Sequence, residues 1–238
     1  MSEAIEPTGR HVVIAIPAYT GQVHMGTMRS LFHDMLALAD RGDRVSLFDD
    51  TGNAMIGDCR ALIVARFLET DGTDLIFVDS DVAWEGGAIL RLVDQPVDFV
   101  AGIYPQRRDP EAYCVQWIQE RPQLIADPAT GLLEVAGVPA GFMRLTRAML
   151  ERMVAHYSDT AFHCDQAPNS TAHALFDPYR IGRVKFGEDY SFCKRWRELG
   201  GQVWVDPEIH MAHVGYKTFL GTLGSWLKAR PSPETPAA

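Results

Sequence analysis

The sequence predicts an α/β fold: a mostly parallel central sheet with helices on both faces and a small hairpin subregion. Three features carry that expectation. Apolar runs of strand length alternate with segments of helical periodicity through residues 11–105. The runs are continuously apolar, as in DLIFV, which is how strands buried on both faces read. The βαβαβαβ order also places a helix-length crossover between successive strands, as parallel pairing requires.

The elements follow in order. HVVIAIPAY is a buried strand stopped by Pro17. MGTMRSLFHDMLALADRG places Met28, Leu31, Phe32, Met35 and Leu38 on one helical face, with Gly42 to end it. RVSLFDD is a second strand, and NAMIGDCRALIVARFLET a second helix closed by an Asp71-Gly72 turn. DLIFVDSD is the third strand, EGGAILRLVDQ a short helix, and VDFVAGIY the fourth strand. Beyond residue 106 the pattern changes. QLIADPATGLLEVAGV reads as a hairpin around Pro128 to Gly131, and TRAMLERMVAHY as a helix. The long polar stretch 158–187 has little periodicity and reads as a binding loop or lid. EDYSFCKRWRELGG is a helix with Phe192, Trp196 and Leu199 on one face, and QVWVDPEIHMAHVGY a last strand region ending in histidines. No repeat or clean linker divides the chain, so one domain is expected over 11–225, with flexible tails at 1–10 and 229–238. Its halves would be 11–105 and 106–225.

Of 238 residues, 47% are hydrophobic, enough for a substantial core. The formal net charge of −9 weighs against nucleic acid as the main partner. Cys59, Cys114, Cys164 and Cys193 are widely spaced with no C-x-x-C pair, which fits a reduced, cytoplasmic protein. The polar, acidic start MSEAIEPTGR is not a signal peptide, and no apolar run reaches membrane-spanning length.

Four places carry chemistry. Asp79 and Asp81, separated by Ser80, end the third strand, and period two turns both carboxylates the same way. Two such charges repel unless a cation lies between them, which points to Mg²⁺ or Mn²⁺. The alternative is that one of them caps the next helix. Glu188 and Asp189 open a helix. Either they complement its dipole, or one is a general base kept ionised by the helix-start amides. His210 and His213 follow a strand as metal-ligand candidates, with Lys217 as a point charge toward a diphosphate. Asn53 and Arg60, seven apart, would share a helical stripe facing a nucleotide or plain solvent. Arg107 and Arg108 read as a solvated basic loop that phosphate could also meet.

Together these motifs resemble nucleotide-sugar glycosyltransferases of the Rossmann-like glycosyltransferase-A fold, closest to the family 2 type, over roughly residues 11–220. IPAY is similar to the nucleoside-contacting loop at Pro17, Ala18 and Tyr19. NAMIGDCRALIVARFLETDGTDLIFVDSD resembles the segment that ends in the D-x-D motif. VPAGFMRLTRAML resembles the acceptor-side segment around Ala140, Gly141 and Phe142, and FDPYRIGRVKFGEDYSFCKRWRELGGQVWVDPEIHMAHVG the family's block of FDE, ED and H-x-x-G. The resemblance implies a UDP- or GDP-sugar donor and an unidentified hydroxyl acceptor. It implies Asp79, Ser80, Asp81, Asn53, Arg60 and Lys217 at the donor, and Mn²⁺ or Mg²⁺ on Asp79, Asp81 and His213. Asp189, beside Glu188, becomes the base of an inverting transfer. Without a Q-x-x-R-W motif, single transfer is expected rather than processive synthesis. HVGYK also resembles the ending of some retaining transferases, which keeps both stereochemical outcomes open. Two rivals remain: a phosphatase of the haloacid dehalogenase type, whose strand also ends in D-x-D, and a non-catalytic nucleotide-sugar or carbohydrate-binding module.

Overall fold

A computed structural model describes residues 9–118, 124–165 and 167–229. The expected tails therefore lie outside the described residues, apart from Gly9, Arg10 and Ala229. The elements run β1 (His11–Pro17), α1 (Met25–Asp40), β2 (Arg44–Asp50), α2 (Ile56–Leu68), β3 (Asp74–Val78), β4 (Val82–Trp84) and α3 (Ala88–Val93). They continue through β5 (Phe99–Gly102), β6 (Leu133–Val135), β7 (Phe142–Thr146), α4 (Arg147–His156), β8 (Ala161–Cys164) and β9 (Ala167–His173). The last are β10 (Arg180–Ile181), β11 (Val184–Lys185), α5 (Glu188–Glu198), β12 (Val203–Asp206), β13 (Met211–Val214), β14 (Thr218–Gly221) and α6 (Leu223–Ala229).

Seven strands form the central sheet in the order β2-β1-β3-β7-β5-β12-β6. β2, β1, β3, β5 and β12 share one direction, and β7 and β6 run against it. The sheet is mostly parallel, as the alternating pattern predicts. Alternate residues of β1 divide the core. Val13 and Ala15 meet α2, α4 and α5 through Ile63, Phe67, Met149, Met153, Phe192 and Trp196. Val12, Ile14 and Ile16 meet α1 and α3 through Leu31, Leu38, Ile89 and Leu92. Helices therefore cover both faces.

Four local expectations are corrected. The buried face of α1 is Thr27, Ser30, Leu31, Asp34 and Leu38, while Met28 and Phe32 are exposed. A polar network sets that rotation. Asp34 is fully buried and accepts hydrogen bonds from Trp84 Nε1 at 2.9 Å, from the Ile89 amide at 2.8 Å, and from the Gly87 amide. Ser30 Oγ donates to the Trp84 carbonyl at 2.6 Å. Asp34 thus supplies the start of α3 with an acceptor that its own N-cap glycine lacks. Hydrophobic periodicity does not register a buried carboxylate.

The stretch 158–187 is not a bare loop. It forms two hairpins, β8–β9 and β10–β11, and Phe162, Cys164 and Ala172 of the first pack on Ala61, Leu62 and Ala65 of α2. VPAGFMRLT supplies β7 in the middle of the sheet, where Phe142 is fully buried and Ala140 nearly so. The last strand region splits in two. β12 joins the main sheet, and β13 pairs with β4 and β14 in a separate three-stranded sheet. The expected 123–138 hairpin begins outside the described residues. Its visible part is an Ala126–Leu133 bridge around a turn in which Asp127 accepts from the Thr130 amide and hydroxyl.

Candidate active site

The carboxyl ends of β1, β3 and β5 open on one edge of the sheet, the usual ligand edge of an open parallel sheet. The antiparallel β7 begins at the same edge, and the Asp79 amide donates to the Gly141 carbonyl at 2.8 Å. The DSD segment turns between β3 and β4, whereas α3 starts at Ala88 behind Gly87. Neither aspartate caps a helix, which removes that alternative for the pair.

The two carboxylates face different partners. Asp79 Oδ1 accepts from Arg60 Nη2 at 3.2 Å, and Asp79 Oδ2 from the Tyr104 hydroxyl at 3.3 Å. Burial, and then the charge of Asp79, holds the Tyr104 phenol well above its ordinary pKa, so it remains a donor. Gly141 permits this approach. A Cβ there would lie 2.3 Å from Asp79 Oδ2 and 2.4 Å from the Tyr104 hydroxyl oxygen. Asp81 is half-exposed and pairs with the Arg107 guanidinium on Oδ2. Its Oδ1 lies 3.7 Å from His213 Nε2.

Strand pairing brings that histidine in. β13 lies antiparallel to β4 with His213 opposite Val82, and the Val214 amide donates to the Asp81 carbonyl at 2.9 Å. His213 Nδ1 stands 2.9 Å from the Pro105 carbonyl and can only donate to it. That fixes the tautomer and leaves a lone pair on Nε2 aimed toward Asp81. Burial, with the Arg107 charge behind it, lowers the pKa of His213 despite the Pro105 bond, so the ring is neutral at pH 7. His210 lies before β13, is exposed, and accepts from the Glu85 amide with its backbone carbonyl.

Arg60 links the chain's two halves. It is 4% exposed on α2, and its Nη1 donates to Glu188 Oε1 at 3.0 Å while Nη2 holds Asp79. Its Nε has no acceptor among the described residues. Arg60 is therefore a buried bridge between two carboxylates rather than part of an open stripe. Asn53 does not share its helix, because α2 begins at Ile56, and Asn53 Oδ1 accepts from the Met55 amide at 3.0 Å ahead of it. Asp189, in the first turn of α5, accepts from the Tyr190 amide at 2.8 Å. Burial, reinforced by the Glu188 charge, outweighs that bond and Arg60, and pushes the Asp189 carboxyl up to about 6. The helix-start amides do favour its ionised form, but burial works against them.

Other candidates fall as follows. Pro17 ends β1, Ala18 is buried with its amide on the Asp50 carbonyl, and Tyr19 is 63% exposed at the ligand edge. Lys217 pairs with Asp109 rather than turning to the aspartates. Tyr104 and Arg107 were not singled out by the sequence as partners of the aspartate pair. The usable signal was position: Tyr104 closes the apolar run VDFVAGIY, and Arg107 follows three residues later.

Among the described residues no three His, Cys, Asp or Glu side chains stand together as a ready metal-holding group. Asp79 is engaged by Arg60 and Tyr104. The Asp81 carboxylate and the His213 lone pair do face each other. That donor set fits a divalent ion that completes its shell with phosphate and water. All four cysteines are free thiols, and no described helix is long and apolar enough to cross a membrane.

No protein-family model and no curated protein matches the chain. Among solved structures it is similar to A197 from STIV, a viral protein, with a TM-score of 0.55 and 18% identity over 90% of this chain and 91% of that one. At that identity the likeness speaks for the fold alone. The chain is thus a mixed α/β protein on a mostly parallel seven-stranded sheet, with its candidate site at the carboxyl edge.

Proposed function

We propose that the chain is a glycosyltransferase of the glycosyltransferase-A type, moving a sugar from a UDP- or GDP-sugar to an acceptor hydroxyl with inversion. One observation carries this reading. The D-x-D turn, His213 and a carboxyl raised to about 6 on α5 meet at one sheet edge, joined through the buried Arg60.

In this reading Asp189 receives the acceptor proton as the hydroxyl oxygen attacks the sugar carbon and the bond to the diphosphate oxygen breaks. A group with a pKa of about 6 is roughly nine-tenths ionised at pH 7 and a stronger base than an ordinary aspartate. Arg60 pairs with Glu188 and with Asp79 and so ties the start of α5 to the end of β3, so base and donor hold one relative position. Tyr19 offers an exposed ring beside the base-binding edge. Asp81 and His213 would hold Mn²⁺ or Mg²⁺, with Asp79 able to join once it leaves Arg60; the ion, when bound, offsets charge on the departing nucleoside diphosphate. Lys217 pairs with Asp109, and both side chains are largely exposed.

The test is a thermal-shift series with UDP-, GDP- and other nucleotide sugars, with and without Mn²⁺, followed by a transfer or donor-hydrolysis assay. A ligand at a hundredfold excess over its Kd stabilises by about 2.7 kcal/mol, which is roughly 5–10 °C in Tm for a domain of this size. Absence of any Mn²⁺-dependent shift with any nucleoside diphosphate refutes the reading. Binding without turnover favours the non-catalytic module.

A further inference from the structure

The segment following β5 reaches each of the three residues named as metal ligands. The Tyr104 hydroxyl donates to Asp79, the Pro105 carbonyl accepts from His213, and the Arg107 guanidinium pairs with Asp81. Arg107 does not extend freely into solvent as a basic loop would. It lies across the backbone of Gly215, where an added Cβ would meet Arg107 Cδ at 2.9 Å. The bare glycine after His213 and Val214 is what lets the guanidinium reach the carboxylate. Arg107 holds Oδ2 and His213 faces Oδ1, so a divalent ion on Asp81 would sit beside the guanidinium, and the repulsion between the two cations sets them in competition for the one carboxylate.

The pair is built to be broken. Both side chains are partly open to water, at 41% and 38% exposure, where an ion pair is weak and exchanges readily. A diphosphate is the better partner for a guanidinium, because its oxygens match the planar fork two at a time.

We propose that Arg107 is an exchangeable counter-cation. In the donor-free protein it occupies the Asp81 carboxylate; when a nucleoside diphosphate binds, it moves onto a phosphate and releases Asp81 to the divalent ion. This rests on the glycosyltransferase reading of Asp81 and adds a consequence to it. The ion binds poorly alone, and ion and nucleotide strengthen each other's binding by the same factor, since coupling is reciprocal.

The magnitude follows from occupancy. If Arg107 covers Asp81 for 80–90% of the time, apparent affinity for the ion alone falls about 5–10-fold. The experiment is titration of the full chain with Mn²⁺, following free Mn²⁺ by electron paramagnetic resonance, alone and with saturating UDP or GDP. Arg107→Ala is expected to bind Mn²⁺ alone about 5–10-fold more tightly than wild type. It should bind UDP or GDP more weakly, and the nucleotide's enhancement of Mn²⁺ binding should shrink by about the same factor. Gly215→Ala displaces Arg107 sterically without removing its charge. It should also tighten Mn²⁺ alone, yet retain nucleotide binding better than Arg107→Ala. Arg107→Lys should stay close to wild type for Mn²⁺ alone. Melting curves of each variant confirm folding, and Gly215→Ala decides the matter if Arg107→Ala does not fold. If Mn²⁺ binding depends on nucleotide in wild type but neither variant binds Mn²⁺ alone more tightly, the exchange is refuted and the glycosyltransferase reading stands. If wild type and variants bind no Mn²⁺ with or without UDP or GDP, both fall.

Discussion

Replacing Asp189 by Asn separates two accounts of the same residue, because they predict stability changes of opposite sign. At a helix start, a carboxylate that only complements the dipole contributes about 0.3–1 kcal/mol, and Asp189→Asn should lose it. In the structure, burial and Glu188 push the carboxyl from an ordinary 3.8 to about 6. The folded state therefore binds the proton more tightly than the unfolded chain does. That stabilisation is fully present below about pH 3.8 and is lost as pH rises through about 6. A shift of about two units corresponds to at most ~3 kcal/mol, and about 1–2 kcal/mol after discounting for the partial exposure of the group. Asparagine has the same shape and no charge to desolvate. Asp189→Asn should thus match wild type near pH 4 and exceed it by about 1–2 kcal/mol above pH 7, or roughly 3–6 °C in Tm. Urea denaturation at pH 4, 5, 6, 7 and 8 reads the difference directly. In the proposed transfer the same variant should lower turnover by about 10²–10⁴-fold, with donor affinity near wild type. A variant less stable than wild type at pH 7 and equal to it in turnover would refute both the burial account and the base.

Three further outcomes are expected. His213→Ala should weaken Mn²⁺ binding and flatten its pH dependence, which in wild type declines only below the ordinary histidine range of about 6.5, because burial and Arg107 lower the His213 pKa; His210→Ala should do neither, and a larger effect at His210 would show that the wrong histidine is assigned. Gly141→Ala should expel the Asp79 carboxylate from its place against Tyr104, cutting metal-dependent nucleotide binding at least ~10-fold for an overpacking cost of about 1–3 kcal/mol in urea; unchanged binding would separate Asp79 from the donor site. Asp34→Ala leaves the Trp84 indole and the Gly87 and Ile89 amides without their acceptor and should cost about 3–5 kcal/mol in urea denaturation; a loss below about 1 kcal/mol would mean that the network does not set the rotation of α1.

The sheet was legible because burial on both faces leaves a plain trace. A strand such as DLIFV has no polar position to spare, and the helices between strands carry the opposite period. What the pattern hid were positions where a polar group is buried for a structural purpose. Asp34 falls inside what reads as a helical hydrophobic stripe, and Arg144 lies in the central β7 paired with the buried Asp74 at 2.6 Å. Both break a hydrophobic template that the fold tolerates because each charge is fully partnered. β7 itself was missed as a strand for a related reason. Its neighbours β3 and β5 are far from it in sequence, and no local turn announces a strand entering antiparallel between them.

The candidate site shows the same division more sharply. Asp79, Asp81 and Asp189 stood out because carboxylates at the end of a buried strand and at a helix start are chemically conspicuous. Their partners did not, because pairing across the fold has no local spacing to read. Arg60 looked like one end of an i, i+7 stripe. Its function as a bridge depends on Glu188, 128 residues away, reaching the same guanidinium. Arg107 looked solvated, and only the bare backbone of Gly215 shows why it can lie on Asp81. The two arginines also hold their aspartates differently. Arg60 is buried and bonded to both Asp79 and Glu188, so Asp79 leaves it only by breaking a buried ion pair. Arg107 is half in water, and Asp81 can exchange it at little cost. If the pair holds an ion as proposed, the loosely held Asp81 would reach it with His213 before the firmly held Asp79 does.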